Sequence, residues 1–110
     1  MYVPDQGDFV VMDFELNAGK EISKRRPGCV LSKKVFNKKT SMVIVCPIKT
    51  RSRHTAMDVE VPPGLKLQGF ALVDQLKAVD YQARNIVFVD KAPMRFMKQI
   101  EHIAHLITQV

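Results

Sequence analysis

Long apolar runs are missing from this chain. No stretch approaches the ~20 residues needed to cross a bilayer, so no membrane-spanning helix is expected. The start, Met1-Tyr2-Val3-Pro4-Asp5, does not read as a signal peptide, and the expected location is cytoplasmic. Cysteine is scarce. Cys29 and Cys46 each sit in an apolar strand pattern, which fits buried small hydrophobes better than a disulfide or a metal pair. No Cys/His cluster has zinc-ligand spacing. Neither a phosphate-binding glycine motif nor an EF-hand loop is present. No cofactor and no metal are therefore expected. Internal repeats and low-complexity tracts are missing too, and the composition is not that of a disordered chain.

What remains is a chain of 110 residues, the size of one small domain, taken here as residues 1–110. A domain this size has little stability to spare, so a partner subunit would help it. The formal charge is +6, and most lysines and arginines fall between Lys20 and Arg53. Cations concentrated in this way favour a polyanion, because each neutralised phosphate releases condensed counterions.

Apolar patterning predicts several short strands. Residues 7–15 read as the first, bounded by Asp5-Gln6-Gly7 and broken by Asn17-Ala18-Gly19. A loop then runs to Pro27 and a second strand covers 28–31. Asn37-Lys38-Lys39-Thr40 reads as a polar turn. Residues 42–46 are continuously apolar, as in a strand covered on both faces. Residues 57–61 alternate and stop at Pro62-Pro63-Gly64. Further strands are expected at 69–73 and 86–89, with a short segment over 76–79.

The period changes after Pro93. Phe96, Met97, Ile100, Ile103, Ala104 and Ile107 recur at helical spacing and make one apolar face. His102 and His105 fall together on the other side, where a solvated helix face explains them better than a two-ligand metal site. Short strands followed by one helix point to a mainly β fold: a small, curved antiparallel barrel with a C-terminal α-helix. An open sheet would satisfy the same pattern.

The polar residues between these strands suggest a chemistry. Cutting RNA without metal requires removing the 2′-hydroxyl proton, protonating the 5′-oxygen and stabilising charge on the phosphoryl oxygens. Arginine suits the last task, with a planar fork of donors and a permanent charge. Arg26 is the leading candidate, because Pro27 restricts the backbone beside it. The alternative is an ordinary surface arginine. Glu21 could orient Arg26 or contact RNA, or be a solvated acid among lysines. Lys49 could bind the phosphate as a point charge, and Thr50 could donate a hydrogen bond to it, although Lys-Thr after a strand is also common turn chemistry. Lys20, Lys24, Arg25, Arg51, Arg53, His54, Gln75 and Lys77 are the candidate RNA-binding residues; Arg51, Arg53 and His54 look placed to contact a backbone without reading sequence, and Asp74-Gln75 could instead brace the loops. Aromatic stacking platforms are sparse. Phe14 and Phe36 are the candidates, and a core role explains either.

The order of several short motifs carries a resemblance. They are Tyr2-Val3-Pro4-Asp5, Gly7-Asp8, Asp13-Phe14, Ala18-Gly19-Lys20-Glu21, Arg26-Pro27, Val30-Leu31-Ser32, Asn37-Lys38-Lys39-Thr40, Cys46-Pro47, Gly69, Asp74-Gln75 and Ala83-Arg84. Through them the whole chain resembles the MazF/PemK/Kid-type toxin endoribonucleases of type II toxin–antitoxin systems. The resemblance implies an SH3-like β-barrel, a homodimer, and metal-independent cleavage of single-stranded RNA to 2′,3′-cyclic phosphate and 5′-hydroxyl ends. It also implies a cognate antitoxin of MazE/PemI type, which would carry the pair onto operator DNA. Arg26 matches the family's catalytic arginine. Three positions depart from the pattern: Lys49 stands where a threonine or serine is common, Lys20 where some members have histidine, and Leu72 where some have arginine. The fold alone does not fix the activity, since CcdB-type gyrase poisons share it. A non-enzymatic poison and a decayed member that only binds antitoxin and operator DNA are the competing readings.

Overall fold

The computed structural model describes residues 1–14 and 25–110. The expected first break at Asn17-Ala18-Gly19, and the site candidates Lys20, Glu21 and Lys24, lie outside the described residues. The elements run β1 (Asp8–Asp13), β2 (Arg25–Val30), α1 (Lys34–Thr40), β3 (Met42–Lys49), β4 (Asp58–Glu60) and β5 (Phe70–Leu72). A 3₁₀ turn (Val73–Gln75), β6 (Lys77–Asp80), β7 (Val87–Lys91) and α2 (Met94–Thr108) complete the chain.

All strand pairs are antiparallel, in the order β4-β5-β3-β2-β1-β7, with β6 also on β3. β3 is the hub. One of its edges takes β2, and the other takes β6 along its first half and β5 at its end. That central place explains its unbroken apolar sequence. Strand pairing among the described residues does not close the sheet: β4 and β7 end the path. The expected barrel is therefore a curved sheet left open along its ladder.

Side-chain alternation splits the core in two. Phe9, Cys29, Cys46 and Ile48 face α2 and pack with Phe96, Met97 and Ile100. The Phe9 and Phe96 rings meet edge to face at 5.5 Å. Burial raises both thiols, that of Cys46 to about 12, so these cysteines behave as inert core groups. Val10, Met12, Phe14, Val30, Val43, Val45, Val79 and Tyr81 form the second cluster on the opposite face. No helix among the described residues contributes to it, and the sheet curls over these side chains.

Two expectations change. The polar turn at 37–40 is the end of α1, held by a buried asparagine. Asn37 accepts from Ser32 Oγ at 2.6 Å and donates to Pro4 O at 2.8 Å and Ser32 O at 3.1 Å. A left-handed Ser41 (φ 57°) then ends the helix. The loop expected to run to Pro27 ends sooner, because Arg25, Arg26 and Pro27 already belong to β2, opposite Asp13, Met12 and Val11. β3 likewise runs past Cys46 to Lys49.

Candidate active site

The β2–β3 ladder stops at Gly28 opposite Pro47. Pro27 and Pro47 each lack an N–H, which removes donors at this end of the ladder. Beyond that point the two strand ends carry Arg26 and Lys49. The register that pairs Gly28 with Pro47, carried two residues further, puts Arg26 across from Lys49. Alternation puts both on the face of the second core cluster, and both are exposed. Among the described residues no carboxylate pairs with either one.

Phe14 shapes the floor beside them. A side chain at Gly28 would meet the Phe14 ring, with Cζ only 2.6 Å from an ideal Cβ. Glycine here makes room for that ring, which is 3% exposed and belongs to the core. Phe36, the other aromatic candidate, lies on α1 at the far end of β2 and β3. Lys77 stands opposite Val45, donates to Phe14 O at 3.0 Å and lies 5.5 Å from the Phe14 ring centroid. Arg26, Lys49 and Lys77 thus share one face around a buried aromatic.

Arg25 points to the opposite face. It pairs with Asp13 at 3.4 Å and donates to Val11 O at 3.2 Å, which ties β2 to β1. Ala83-Arg84 stands in the sequence as a motif without an evident role, and the structure gives Arg84 one. Arg84 Nη1 donates to the carbonyls of Asp13 and Phe14, its Nε donates to Asp80 O, and Asn85 Nδ2 donates to Asp13 Oδ2 at 2.9 Å. These bonds anchor the end of β1. The signal in the sequence was a lone arginine-asparagine pair in a turn, and nothing nearby indicated its partner.

Arg53 is the main departure. It was expected to contact a phosphate backbone, but its guanidinium sits between two carboxylates. Nε and Nη2 donate to Asp58 Oδ1 at 3.0 and 2.5 Å, and Nη2 and Nη1 donate to Asp74 Oδ1 and Oδ2 at 2.5 and 3.2 Å. The Asp58 side chain is 1% exposed. Arg53 lowers the Asp58 carboxyl to about 2 from its ordinary 3.8 and lowers Asp74 as well. The depressed folded-state value means that Asp58 contributes stability above pH 3.8, and that this contribution is lost as pH falls toward 2. Chemical denaturation across that window should show wild-type stability falling, and a shallower fall in Asp58→Asn. Thr50, Arg51, His54 and Gln75 remain exposed around this bracket.

The PemK-like, MazF-like toxin model of type II toxin–antitoxin systems matches residues 5–107. The chain belongs to this toxin family. It is 40% identical over 83 residues to the endoribonuclease toxin MazF of Escherichia coli K12, covering 76% of this chain and 74% of that protein. Among solved structures, MazF from Deinococcus radiodurans superposes with TM-score 0.90 at 28% identity, over 100% of both chains. A MazE–MazF complex from the same organism gives TM-score 0.87 at 26% identity, covering 97% of this chain and 96% of that one. The mainly β architecture with its C-terminal helix is therefore that of the MazF toxins. Within this toxin fold, His102 and His105 line a groove of about 560 Å³ between α2 and the Leu31, Ile44 and Leu76 side chains. No cluster of three or more His, Cys, Asp or Glu suited to a metal occurs among the described residues. No described helix is long and apolar enough to cross a membrane.

Proposed function

We propose that this toxin is a sequence-selective endoribonuclease that cuts single-stranded RNA, mRNA above all, without metal. The observation that carries this is two exposed cations, Arg26 and Lys49, on the strand ends just beyond the β2–β3 ladder and on the same face by alternation, free of carboxylates among the described residues. In the reaction the ribose 2′-oxygen attacks the adjacent phosphorus and loses its proton. The bond from phosphorus to the 5′-oxygen breaks, and that oxygen gains a proton. A 2′,3′-cyclic phosphate and a 5′-hydroxyl result. Arg26 stabilises the charge that builds on the phosphoryl oxygens and takes part in proton transfer. Lys49 or Thr50 holds the phosphate, and Glu21 orients Arg26 or the RNA. Lys20, Lys24, Arg51, His54, Gln75 and Lys77 position the strand, while Arg25, turned to the opposite face and paired with Asp13, is left to brace β2 against β1.

The unit that acts is a single domain, 1–110, working as a cytoplasmic homodimer. A MazE-like antitoxin neutralises it and carries it onto operator DNA. The support for an antitoxin is the family's type II membership and the structural match to a MazE–MazF complex. Cleavage arrests growth by removing messages.

The test is digestion of a long single-stranded RNA in EDTA, with end-group analysis. Cuts with cyclic phosphate and 5′-hydroxyl ends support the reading. A folded protein that leaves RNA intact but arrests growth would replace it with a gyrase-type poison. Lys49→Ala is expected to lower kcat by about a hundredfold, the scale of losing one charge-stabilising donor. Lys49→Thr, which restores the family's common hydroxyl, should retain most of the rate. Equal rates for Lys49→Ala and wild type would remove lysine from the site.

A further inference from the structure

We propose that the Arg53 guanidinium and its two carboxylates, Asp58 and Asp74, set the base selectivity of cleavage by locking the 50–57 loop to the 3₁₀ turn that carries Gln75. The inference rests on the endoribonuclease reading above.

Asp58 is the organising group of the loop. Besides the guanidinium, its carboxylate accepts from the Arg53 backbone N–H at 2.5 Å, from Thr55 Oγ1 at 3.2 Å and from Ser52 Oγ at 3.4 Å. The remaining local donors are also used. His54 N–H donates to Ser52 Oγ at 2.9 Å, and Met57 N–H donates to Thr55 Oγ1 at 3.2 Å. Such a set fixes one backbone path through the loop. At its tip His54 takes φ 61°, in the left-handed region that non-glycine residues uncommonly adopt.

The second carboxylate makes this more than a local turn. Asp74 comes from the segment between β5 and β6, and its neighbour Gln75 is exposed. One guanidinium therefore spans two stretches of chain, and the Val73 N–H bond to Met57 O at 3.1 Å closes the same junction through the backbone. Arginine is suited to such bridging because its fork presents donors to both acids in fixed directions. The result is a constant separation between Arg51 and His54 on one side and Gln75 on the other.

Reading splayed bases in single-stranded RNA depends on pockets held at constant separation. The loop begins at Lys49 and Thr50, so its far end falls where nucleotides flanking the cut would pass. Arg51, His54 and Gln75 offer donors, an imidazole and an amide there, groups able to discriminate base edges. Arg53, Asp58 and Asp74 are on this account positioning residues. They face one another, and they act through the groups they hold apart.

The test uses the full chain with Asp74→Asn, and with Asp58→Asn as the stronger and less stable variant. Two quantities are measured: amide hydrogen exchange over residues 53–57, and kcat/KM for the preferred RNA site against single-base variants of it. In Asp74→Asn, exchange in the loop should quicken at least tenfold. Discrimination between sites should fall about tenfold, with kcat at the preferred site within threefold of wild type. Unchanged exchange would overturn the bracket. A loosened loop with discrimination intact would overturn its role in selectivity. A uniform hundredfold loss at every site would make Asp74 a reacting group and overturn the proposal too. Failure of the wild type to cut RNA sinks the underlying reading and this inference together, and the exchange arm still reports whether the bracket holds the loop.

Discussion

Arg26→Ala is expected to lower RNA cleavage about a thousandfold, ~4 kcal/mol of transition-state stabilisation. It should leave the fold almost untouched. Arg26 is exposed near the start of β2, opposite Met12 of β1, and it makes no ion pair among the described residues. Exposed substitutions of this kind change stability by about 0.5 kcal/mol or less, a thermal shift of roughly 2–4 °C in a domain this size. Activity and stability should therefore separate. Arg26→Lys sharpens the point. Lysine keeps the charge and loses the planar fork, so it should recover only part of the rate. The measurement is single-turnover cleavage in EDTA beside a thermal melt. An alanine variant that melts like wild type and cuts at the wild-type rate would remove Arg26 from the mechanism.

Much of this site was legible because strands advertise themselves. β3 reads as apolar on both faces and is the central strand, flanked by β2, β5 and β6. Cys29 and Cys46 sit inside strands and are buried opposite one another. The apolar stripe of α2 is equally plain, and Phe96, Met97 and Ile100 fill it. Strand ends were harder to place, because prolines read as stops. Pro27 and Pro47 lie within strands here, and they end only the ladder between β2 and β3. Arg26 and Lys49 therefore sit on strand ends with a defined register, where the sequence suggested loops.

Side-chain partners chosen over long separations were not legible at all. Arg53 reads as one more cation in a basic run, and nothing local announces that Asp74, 21 residues away, will hold it. The same holds for Arg84, whose acceptors at Asp13 and Phe14 are 71 and 70 residues distant. α1 is hidden for a related reason. Lysines, an asparagine and a threonine look like a turn until the buried hydrogen bonds of Asn37 to Ser32 and Pro4 are known. Charge counting locates a basic region, and only the fold decides which cations are left for a phosphate.

Gly69→Ala should damage both the fold and the site. An ideal Cβ at Gly69 would lie 2.5 Å from Lys49 O and 3.2 Å from Ile48 Cγ2. The first of these atoms is backbone in the central strand, so relief requires moving β5 away from β3. Gly69 also takes φ 127°, a conformation costly for any residue with a Cβ. Strain and overpacking together give an expected loss of about 3–5 kcal/mol, a large share of the 5–15 kcal/mol that holds a domain together. The melting midpoint should fall by roughly 15 °C or more. Gly64→Ala separates the two causes. Gly64 has a similarly left-handed φ of 88° and nothing within 4 Å of its ideal Cβ, so only the backbone term applies and about 1 kcal/mol should be lost. Cleavage by Gly69→Ala, measured at a temperature where it is still folded, should also drop, because the clash displaces the backbone of Lys49 itself. A Gly69→Ala protein as stable as Gly64→Ala would mean that β5 does not approach Lys49 as closely as described. A destabilised but folded variant with full activity would mean instead that the Lys49 backbone can move without consequence for the phosphate.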